Sequence, residues 1–544
     1  MLPNQYSPSR REFISLVGTG LGAMALRGYT ATVEAPAHFS HGVASGDPLQ
    51  DRVILWTRVL PGSGRHEMLN VTWQVANDAD FKQIINQGST TTQQDQDYIV
   101  KVDADGLQAG QQYYYRFVCN EQISPFGRTR TLPGNQVDNI SLAVVSCSNY
   151  PQGFFHVYGE IAKRKVDAVL HLGDYIYEYA EGVYADPAIL KQGRNVEPQH
   201  EIIAIEDYRM RYGLYRTDKN LQAVHAAHPF ICVWDDHEIA NNTWKTGAEN
   251  HSADEGAFDL RRQAAIQAFY EWLPIREPAS GPRDNIYRSF QFGNLASLIM
   301  LDTRLVGRDE QLSHSLPVAD LTHELYKSER TILGQQQEQW LINELKSSQQ
   351  QNIPWQIIGQ QVLMGKLGIP RVDNAQLHTD QIGAAALNRY TMLRDRGKQG
   401  LPLNLDAWDG YPANRERVLQ AFREYGNNVV VLAGDTHSSW AFELSAKETA
   451  KPLAVEFGTP SITSPGFENF LPMETKKLEQ ATHDVSPELK YFDAPNRGWM
   501  ELNIAAAKST AQFYYVSNVK TEQYTVTKGA TLSTQLNEHA ISVG

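Results

Sequence analysis

Leu142-Ala143-Val144-Val145-Ser146-Cys147-Ser148-Asn149-Tyr150 and, further along, Ala168-Val169-Leu170-His171-Leu172-Gly173-Asp174 decide the fold. Two apolar runs flank a stretch of helical pattern. Strand, helix, strand within about 35 residues is the size of one βαβ unit. Both runs are nearly continuous in Val and Leu, as a sheet covered on both faces requires. A crossover connection makes the strands parallel, so their carboxyl ends open onto one edge. Ligands of open α/β sheets bind at that edge. Both runs also end in a residue able to bind a metal, Cys147 and Asp174.

Two later segments repeat the device. Phe230-Ile231-Cys232-Val233-Trp234 runs into Asp235-Asp236-His237-Glu238, and Asn428-Val429-Val430-Val431-Leu432-Ala433 runs into Gly434-Asp435-Thr436-His437. A single Asp after a strand is ordinarily a turn residue or a helix N-cap. Four such ends in one chain, with two His and a Cys among them, point instead to a metal site.

Before this region the pattern is all-β. Arg52–Val59, Asn70–Val75 and Asp97–Val102 read as strands. The aromatics Tyr113, Tyr114 and Tyr115 after a Gly turn are placed like the tyrosine corner of fibronectin-type sandwiches. Residues 38–133 are expected to form one small β-sandwich, and Arg128 to Asn139 a linker. Residues 140–520 read as an α/β domain and 521–544 as a C-terminal tail. Helices are expected over Gly153–Lys163, Arg261–Leu273, Gly334–Lys346 and Val418–Tyr425. Two long polar inserts, Tyr179–Leu221 and Gly365–Gly410, read as lid or rim segments.

The 544-residue chain carries 49 basic and 62 acidic residues, a net charge of −13, and no basic block, which argues against a nucleic-acid partner. An anionic substrate is not excluded, because bound metal ions reverse the local field. Three cysteines, Cys119, Cys147 and Cys232, are too few for a disulfide framework. Residues 1–37 read as an address. Ser9-Arg10-Arg11-Glu12-Phe13-Ile14 carries a twin-arginine pattern, a Gly-rich apolar stretch follows, and Ala35-Pro36-Ala37 suits cleavage. The apolar stretch is too short for a membrane span, so no permanent membrane anchor is expected.

The candidate ligands are chemically mixed. Hard oxygen donors from Asp174, Asp236 and Asp435 favour Fe³⁺, Ca²⁺, Mg²⁺ or Mn²⁺ over zinc. A Tyr three positions after Asp174 offers a phenolate, and Tyr177 is favoured over Tyr175 for that role. A thiolate at Cys147 suits a softer or more highly charged ion, so two unlike metals are expected. Two metals about 3.5–4 Å apart suit in-line displacement at phosphorus. Arg304, after the strand Asn294–Leu301, can pair bidentately with phosphoryl oxygens. Asn241 and Asn242, beside Asp235-Asp236-His237, can orient phosphate or bind the divalent ion. Cys232 reads as core, Glu238 as a supporting or capping residue or a ligand, and Asp302 as a turn residue that orients Arg304.

At this point the chain resembles a known family. His41-Gly42-Val43-Ala44-Ser45-Gly46-Asp47-Pro48, Ser146-Cys147-Ser148-Asn149, His171-Leu172-Gly173-Asp174-Tyr175-Ile176-Tyr177-Glu178, Trp234-Asp235-Asp236-His237-Glu238, Leu301-Asp302-Thr303-Arg304 and Gly434-Asp435-Thr436-His437 look like the signature blocks of PhoD-type alkaline phosphatases. The resemblance implies an α/β chain with an N-terminal fibronectin-like β-sandwich followed by a calcineurin-like α/β metallophosphoesterase domain. It implies hydrolysis of phosphate monoesters and diesters in the periplasm or outside the cell, with Fe³⁺ and Ca²⁺ as cofactors and other divalent ions as alternatives. The Gly-Asp-x-x-Tyr block is also similar to purple acid phosphatases. By that likeness Asp174 bridges the metals, and Tyr177 and His437 hold the ferric ion. Asp236 falls where the wider superfamily has Asn, and Asp435 where it has His. Either Asp235 or Asp236 then supplies the ligand. The superfamily's first Asp-x-His block is absent, and Cys147 takes its place.

The expected metal ligands are therefore Cys147, Asp174, Tyr177, Asp235, Asp236, Asp435 and His437. Arg304, Asp236 and His237 are the expected catalytic residues, with Asn241 and Arg304 on the substrate. The expected partners are a phosphate ester and the twin-arginine export machinery. Two other readings compete: a phospholipase D-like or nucleotide-directed phosphodiesterase, and an exported carbohydrate-binding or adhesion protein with a degenerate site.

Overall fold

Asn139–Val145 and Ala168–His171 pair in parallel, with Val144 opposite Leu170 and Val145 opposite His171. Pro229–Cys232 continues the sheet in parallel on the far side of Ala168–His171. Three of the metal-ligand candidates' strands thus lie side by side. The computed structural model describes residues 37–62, 68–378, 384–447, 449 and 451–544.

The fourth strand, Asn428–Ala433, is not in this sheet. It sits in a second one, between Trp355–Gly359 and Ala454–Gly458, and all three run parallel. Ala296–Met300, the strand leading to Arg304, also runs parallel beside Trp355–Gly359. The two sheets face each other. Leu142, Val144, Leu170 and Ile231 from the first meet Leu298, Met300, Ile357, Val430 and Leu432 from the second in one core. Alternate residues Ala143, Val145, Val169 and Cys232 turn the other way, onto Val157, Tyr158 and Ile161 of the crossover helix His156–Ile161. On the outer face of the second sheet, Ile299, Ile358 and Val431 pack on Leu341, Leu345, Leu419 and Phe422 from the helices Gly334–Gln350 and Pro412–Tyr425. The architecture is helix, sheet, sheet, helix. Each apolar side chain so buried contributes about 1.5–3 kcal/mol relative to exposure.

The N-terminal sandwich forms, and one of its sheets continues the first sheet. Val43–Gly46 pairs in parallel with Pro229–Cys232, then antiparallel with Val53–Arg58, which pairs with Ile99–Ala104. The facing layer is Leu69–Ala76, Ile84–Thr92 and Gln112–Cys119. Val53, Leu55, Val71, Val75, Tyr113 and Phe117 fill the space between. Gln108 N–H donates to the Tyr113 hydroxyl at 2.9 Å, which is the tyrosine-corner contact.

The block His41–Pro48 is a joint and lies outside the metal cluster. Asp47, buried and at φ 41°, receives Arg288 Nη2 at 2.6 Å, Arg288 Nε at 3.0 Å and the Arg276 N–H at 2.8 Å. Arg288 also donates to Cys232 O at 2.9 Å, tying the sandwich to the strand before Asp235.

Residues 521–544 differ from the expected tail. Val526–Gln535 pairs antiparallel with Lys508–Val516, and Ser542–Val543 closes the edge of the ten-stranded sheet. The twin-arginine segment lies outside the described residues. No helix among the described residues is long and apolar enough to cross a membrane.

Candidate metal centre

The ends of the two sheets meet at one edge, and close backbone approach brings them together. Gly173, at φ 105°, needs its missing side chain: a Cβ there would lie 2.3 Å from Asp235 Cβ. A Cβ on Gly434 would lie 2.8 Å from Ser146 Cβ, so the second sheet presses directly on the Cys147 turn. Ser146 bridges in parallel to Ser461.

Four of the candidate ligands hold left-handed backbone conformations: Cys147 at φ 62°, Asp174 at 57°, Asp435 at 61° and His437 at 62°. Such a conformation costs about 1–3 kcal/mol per residue and clusters at functional sites. Each stands in the turn that follows its strand and offers a donor atom to the shared cluster.

Three groups of donor atoms result, each with its members within 4.8 Å of one another: Cys147, Asp174 and His437; Asp174, Asp236 and His237; Asp235, Asp236 and Asp435. Asp174 is shared by the first two and Asp236 by the last two. Tyr177 joins the first group. Its hydroxyl donates to Asp174 Oδ2 at 3.0 Å, lies 3.4 Å from His437 Nε2 and 2.7 Å from Ser464 Oγ. Tyr175 points elsewhere, with its hydroxyl 2.9 Å from His225 Nε2 in the helix-side core.

The residues fit metal ions. Among the described residues, Asp174 Oδ1, Asp235 Oδ2 and Asp236 Oδ1 are buried carboxylate oxygens with no hydrogen-bond partner. Such atoms are costly unless a cation or donor meets them. His437 Nδ1 faces Pro465 O at 2.8 Å, which leaves Nε2 free to ligate, and burial pushes its pKa down to about 3. Burial, then Asp174, raises the Cys147 thiol well above its usual range. Burial also raises Asp174 and Asp235 well above theirs, and Asp435 to about 7. For Asp236 burial acts the same way, but Arg304 and His237 outweigh it and hold the carboxyl below the usual range. For His237, burial disfavours the charge, yet Asp236, Glu178 and Asp174 raise its pKa well above the ordinary value.

Arg304 is the residue expected to pair bidentately with phosphoryl oxygens. It is fully buried, and its guanidinium meets Asp235 through Nε, Asp406 Oδ2 at 2.7 Å, Asp435 Oδ1 at 3.3 Å and Asp236 Oδ1 at 3.6 Å. Four carboxylates within reach of one guanidinium commit its donors to the acidic cluster. Asp302 accepts the N–H groups of Arg304, Leu305 and Val306, fixing the turn that carries it.

Glu238 accepts the N–H groups of Asp174 and Asp235 at 2.9 and 2.7 Å, together with that of Tyr175, so it braces two strand ends. Asn242 N–H donates to Asp236 Oδ2 at 2.7 Å, and Asn241 N–H to Glu178 Oε1 at 2.7 Å. Both asparagines lie in a turn, not a helix.

Two residues escaped the sequence reading. Glu178, fully buried, receives His237 Nδ1 at 2.7 Å and Asn250 Nδ2 at 2.9 Å. Asp406 pairs with both Arg304 and Arg308. The position of Glu178, one residue past Tyr177, was its only signal. Asp406 lies inside the long insert and carried none.

Comparison with known proteins meets this geometry. A family model for PhoD-like phosphatases matches residues 142–513, and one for the PhoD-like phosphatase N-terminal domain matches residues 24–133. The chain belongs to the PhoD-like phosphatase family. It is 40% identical over 484 residues to alkaline phosphatase D of Bacillus subtilis (strain 168), covering 84% of this chain and 76% of that one. A solved structure of PhoD superposes with a TM-score of 0.77 at 34% identity, over 93% of this chain and 92% of that one. The chain is thus a phosphatase, a hydrolase acting on phosphate esters, which sets aside the adhesion reading.

Proposed function

We propose that this PhoD-like phosphatase is an exported, metal-dependent esterase that cleaves both monoesters and diesters of phosphate. The observation that carries the reading is Asp174. It belongs to two donor groups at once, and its buried Oδ1 has no hydrogen-bond partner among the described residues. A carboxylate so placed suits a bridge between two ions. Cys147, Asp174, Tyr177 and His437 would hold Fe³⁺, and Asp174, Asp235, Asp236 and Asp435 would hold Ca²⁺ or another divalent ion.

When bound, such ions polarise a phosphoryl oxygen and lower the pKa of a water. The chain's own residues do the rest. Glu178, fixed by Asn241 N–H and Asn250, orients the His237 ring through Nδ1. His237, its ring held by Glu178 and standing beside Asp236 and Asp174, would hand a proton from Nε2 to the departing oxygen. Arg304 balances Asp235, Asp406 and Asp435, and so keeps an otherwise self-repelling cluster in place. Glu238 and the left-handed turns fix where the carboxylates point.

Ser9-Arg10-Arg11-Glu12-Phe13-Ile14 would direct export by the twin-arginine route, which carries folded protein and allows metal loading first. The test is hydrolysis of a simple alkyl phosphate monoester and of the matching diester by metal-loaded protein. Release of phosphate from the first and of alcohol from the second supports the reading. Activity on the monoester alone removes the diesterase half.

A further inference from the structure

Four rings close on one another beside the donor groups. Tyr177 lies 4.3 Å from His237 between ring centroids, and Tyr184 lies 5.8 Å from Tyr177. Tyr179 completes the set, 5.8 Å from Tyr184 and 5.3 Å from His237. Tyr177 and His237 are buried and stand among the donor atoms, whereas Tyr179 and Tyr184 are partly exposed. The set therefore has a more exposed side, Tyr179 and Tyr184 standing edge to face at 84°, and a buried side, Tyr177 and His237, beside the donor atoms. Val183, next to Tyr184 in the chain, is 65% exposed.

The platform is pinned. Asn149 Nδ2 donates to Tyr184 O at 3.1 Å, and Asp186 N–H donates to Pro151 O at 2.9 Å. Asn149 ends the Ser146–Asn149 turn that carries Cys147, so one short segment sets both the thiol and the tyrosine wall. The N–H of Glu181 donates to Gln199 O at 2.8 Å from the other side. A preorganised aromatic face loses little on binding, and stacking on it does not depend on the identity of the ring.

We infer that Tyr179 and Tyr184 form a leaving-group subsite that selects phosphate esters whose alcohol carries a planar aromatic ring. The inference rests on the phosphatase reading above and deepens it. An aryl or benzyl ring would meet the wall directly, and a nucleoside base would meet it one sugar further out. The shared chemistry is a planar π face on the alcohol side of the ester.

The experiment compares benzyl phosphate with glycerol 3-phosphate, a primary alkyl ester with a hydroxylated chain in place of the ring, and adds thymidine 5′-monophosphate as a third arm. The expected kcat/KM ratio of benzyl to glycerol ester is roughly 5- to 100-fold, the scale of one stacked ring. Tyr184→Ala collapses that ratio and Tyr184→Phe keeps it. If Tyr184→Ala does not fold, Tyr179→Leu serves as the second variant. Higher thymidylate than glycerol turnover places the subsite within reach of a base. Glycerol-like turnover of thymidylate with fast benzyl turnover confines it to rings next to the phosphoryl group. A ratio near one in the unaltered protein overturns the subsite while leaving the phosphatase reading intact. A ratio unchanged in Tyr184→Ala overturns it as well. Loss of all ester hydrolysis in metal-loaded, unaltered protein overturns the phosphatase reading and the subsite with it.

Discussion

The Arg304 guanidinium lies against the Asp235 carboxylate through Nε, and neither side chain is exposed. Asp406 and Asp435 take its two terminal nitrogens. Such a buried hub is expensive to break, because the partner charges stay buried without compensation.

Arg304→Lys keeps one charge but loses the planar fork. The expected result is loss of bound metal together with a fall in kcat/KM of roughly ten- to a thousandfold, about 1.4–4 kcal/mol. Elemental analysis beside steady-state kinetics checks it. Full metal content with a kinetic defect alone would return Arg304 to direct contact with substrate.

Asp47 and Arg288 join the sandwich to the strand that leads to Asp235. Asp47→Ala leaves the Arg288 guanidinium without its carboxylate. The expected loss is about 2–3 kcal/mol, below the ~3–5 of a fully buried pair, because Arg288 keeps 19% of its side chain exposed. Chemical denaturation reads it. An unchanged midpoint would mean that the joint is held by strand pairing alone.

Asp409 accepts the Leu367 N–H at 2.8 Å, and burial raises its pKa from 3.8 to about 7, with Leu367 N–H and Arg415 opposing. The folded protein therefore binds this proton more tightly than the unfolded chain. The contribution to stability is full below the unfolded pKa and is lost as pH rises through the folded one. Asp409→Asn removes the titration and keeps an acceptor. Its Tm should gain on that of the unaltered protein between about pH 4 and pH 7, the interval between the unfolded and folded pKa values. Parallel Tm profiles would contradict the assignment.

Much of the candidate site was legible because the residues it brings together follow apolar strands. Leu142–Val145, Ala168–Leu172, Phe230–Trp234 and Asn428–Ala433 announce themselves, and the three-residue step from Asp174 separates Tyr177 from Tyr175. What covers each strand face was not legible. A Val-rich run is the same whether a helix or a second sheet packs on it, so the placement of Asn428–Ala433 in a facing sheet was invisible. Asp406 sits in an insert without periodicity. Val526–Gln535 contains Lys528, Gly529 and four threonine or serine residues, a weak strand pattern that only pairing with Lys508–Val516 completes. The block around Asp47 stands among the signature stretches in sequence and is an ion-paired joint in space.

On the proposed reading, Cys147, Asp174, Tyr177 and His437 would hold one tightly bound ferric ion, and Asp174, Asp235, Asp236 and Asp435 a looser divalent ion. Thiolate and phenolate bound to Fe³⁺ give visible charge-transfer absorption, whereas Ca²⁺ binds in flexible oxygen geometry and leaves first. The most direct measurement follows visible absorbance and phosphatase activity together during titration with a mild calcium chelator. The account predicts that activity disappears while the colour stays, that added Ca²⁺ restores activity, and that Cys147→Ser shifts or erases the band. A colourless, fully active enzyme containing only zinc would contradict it.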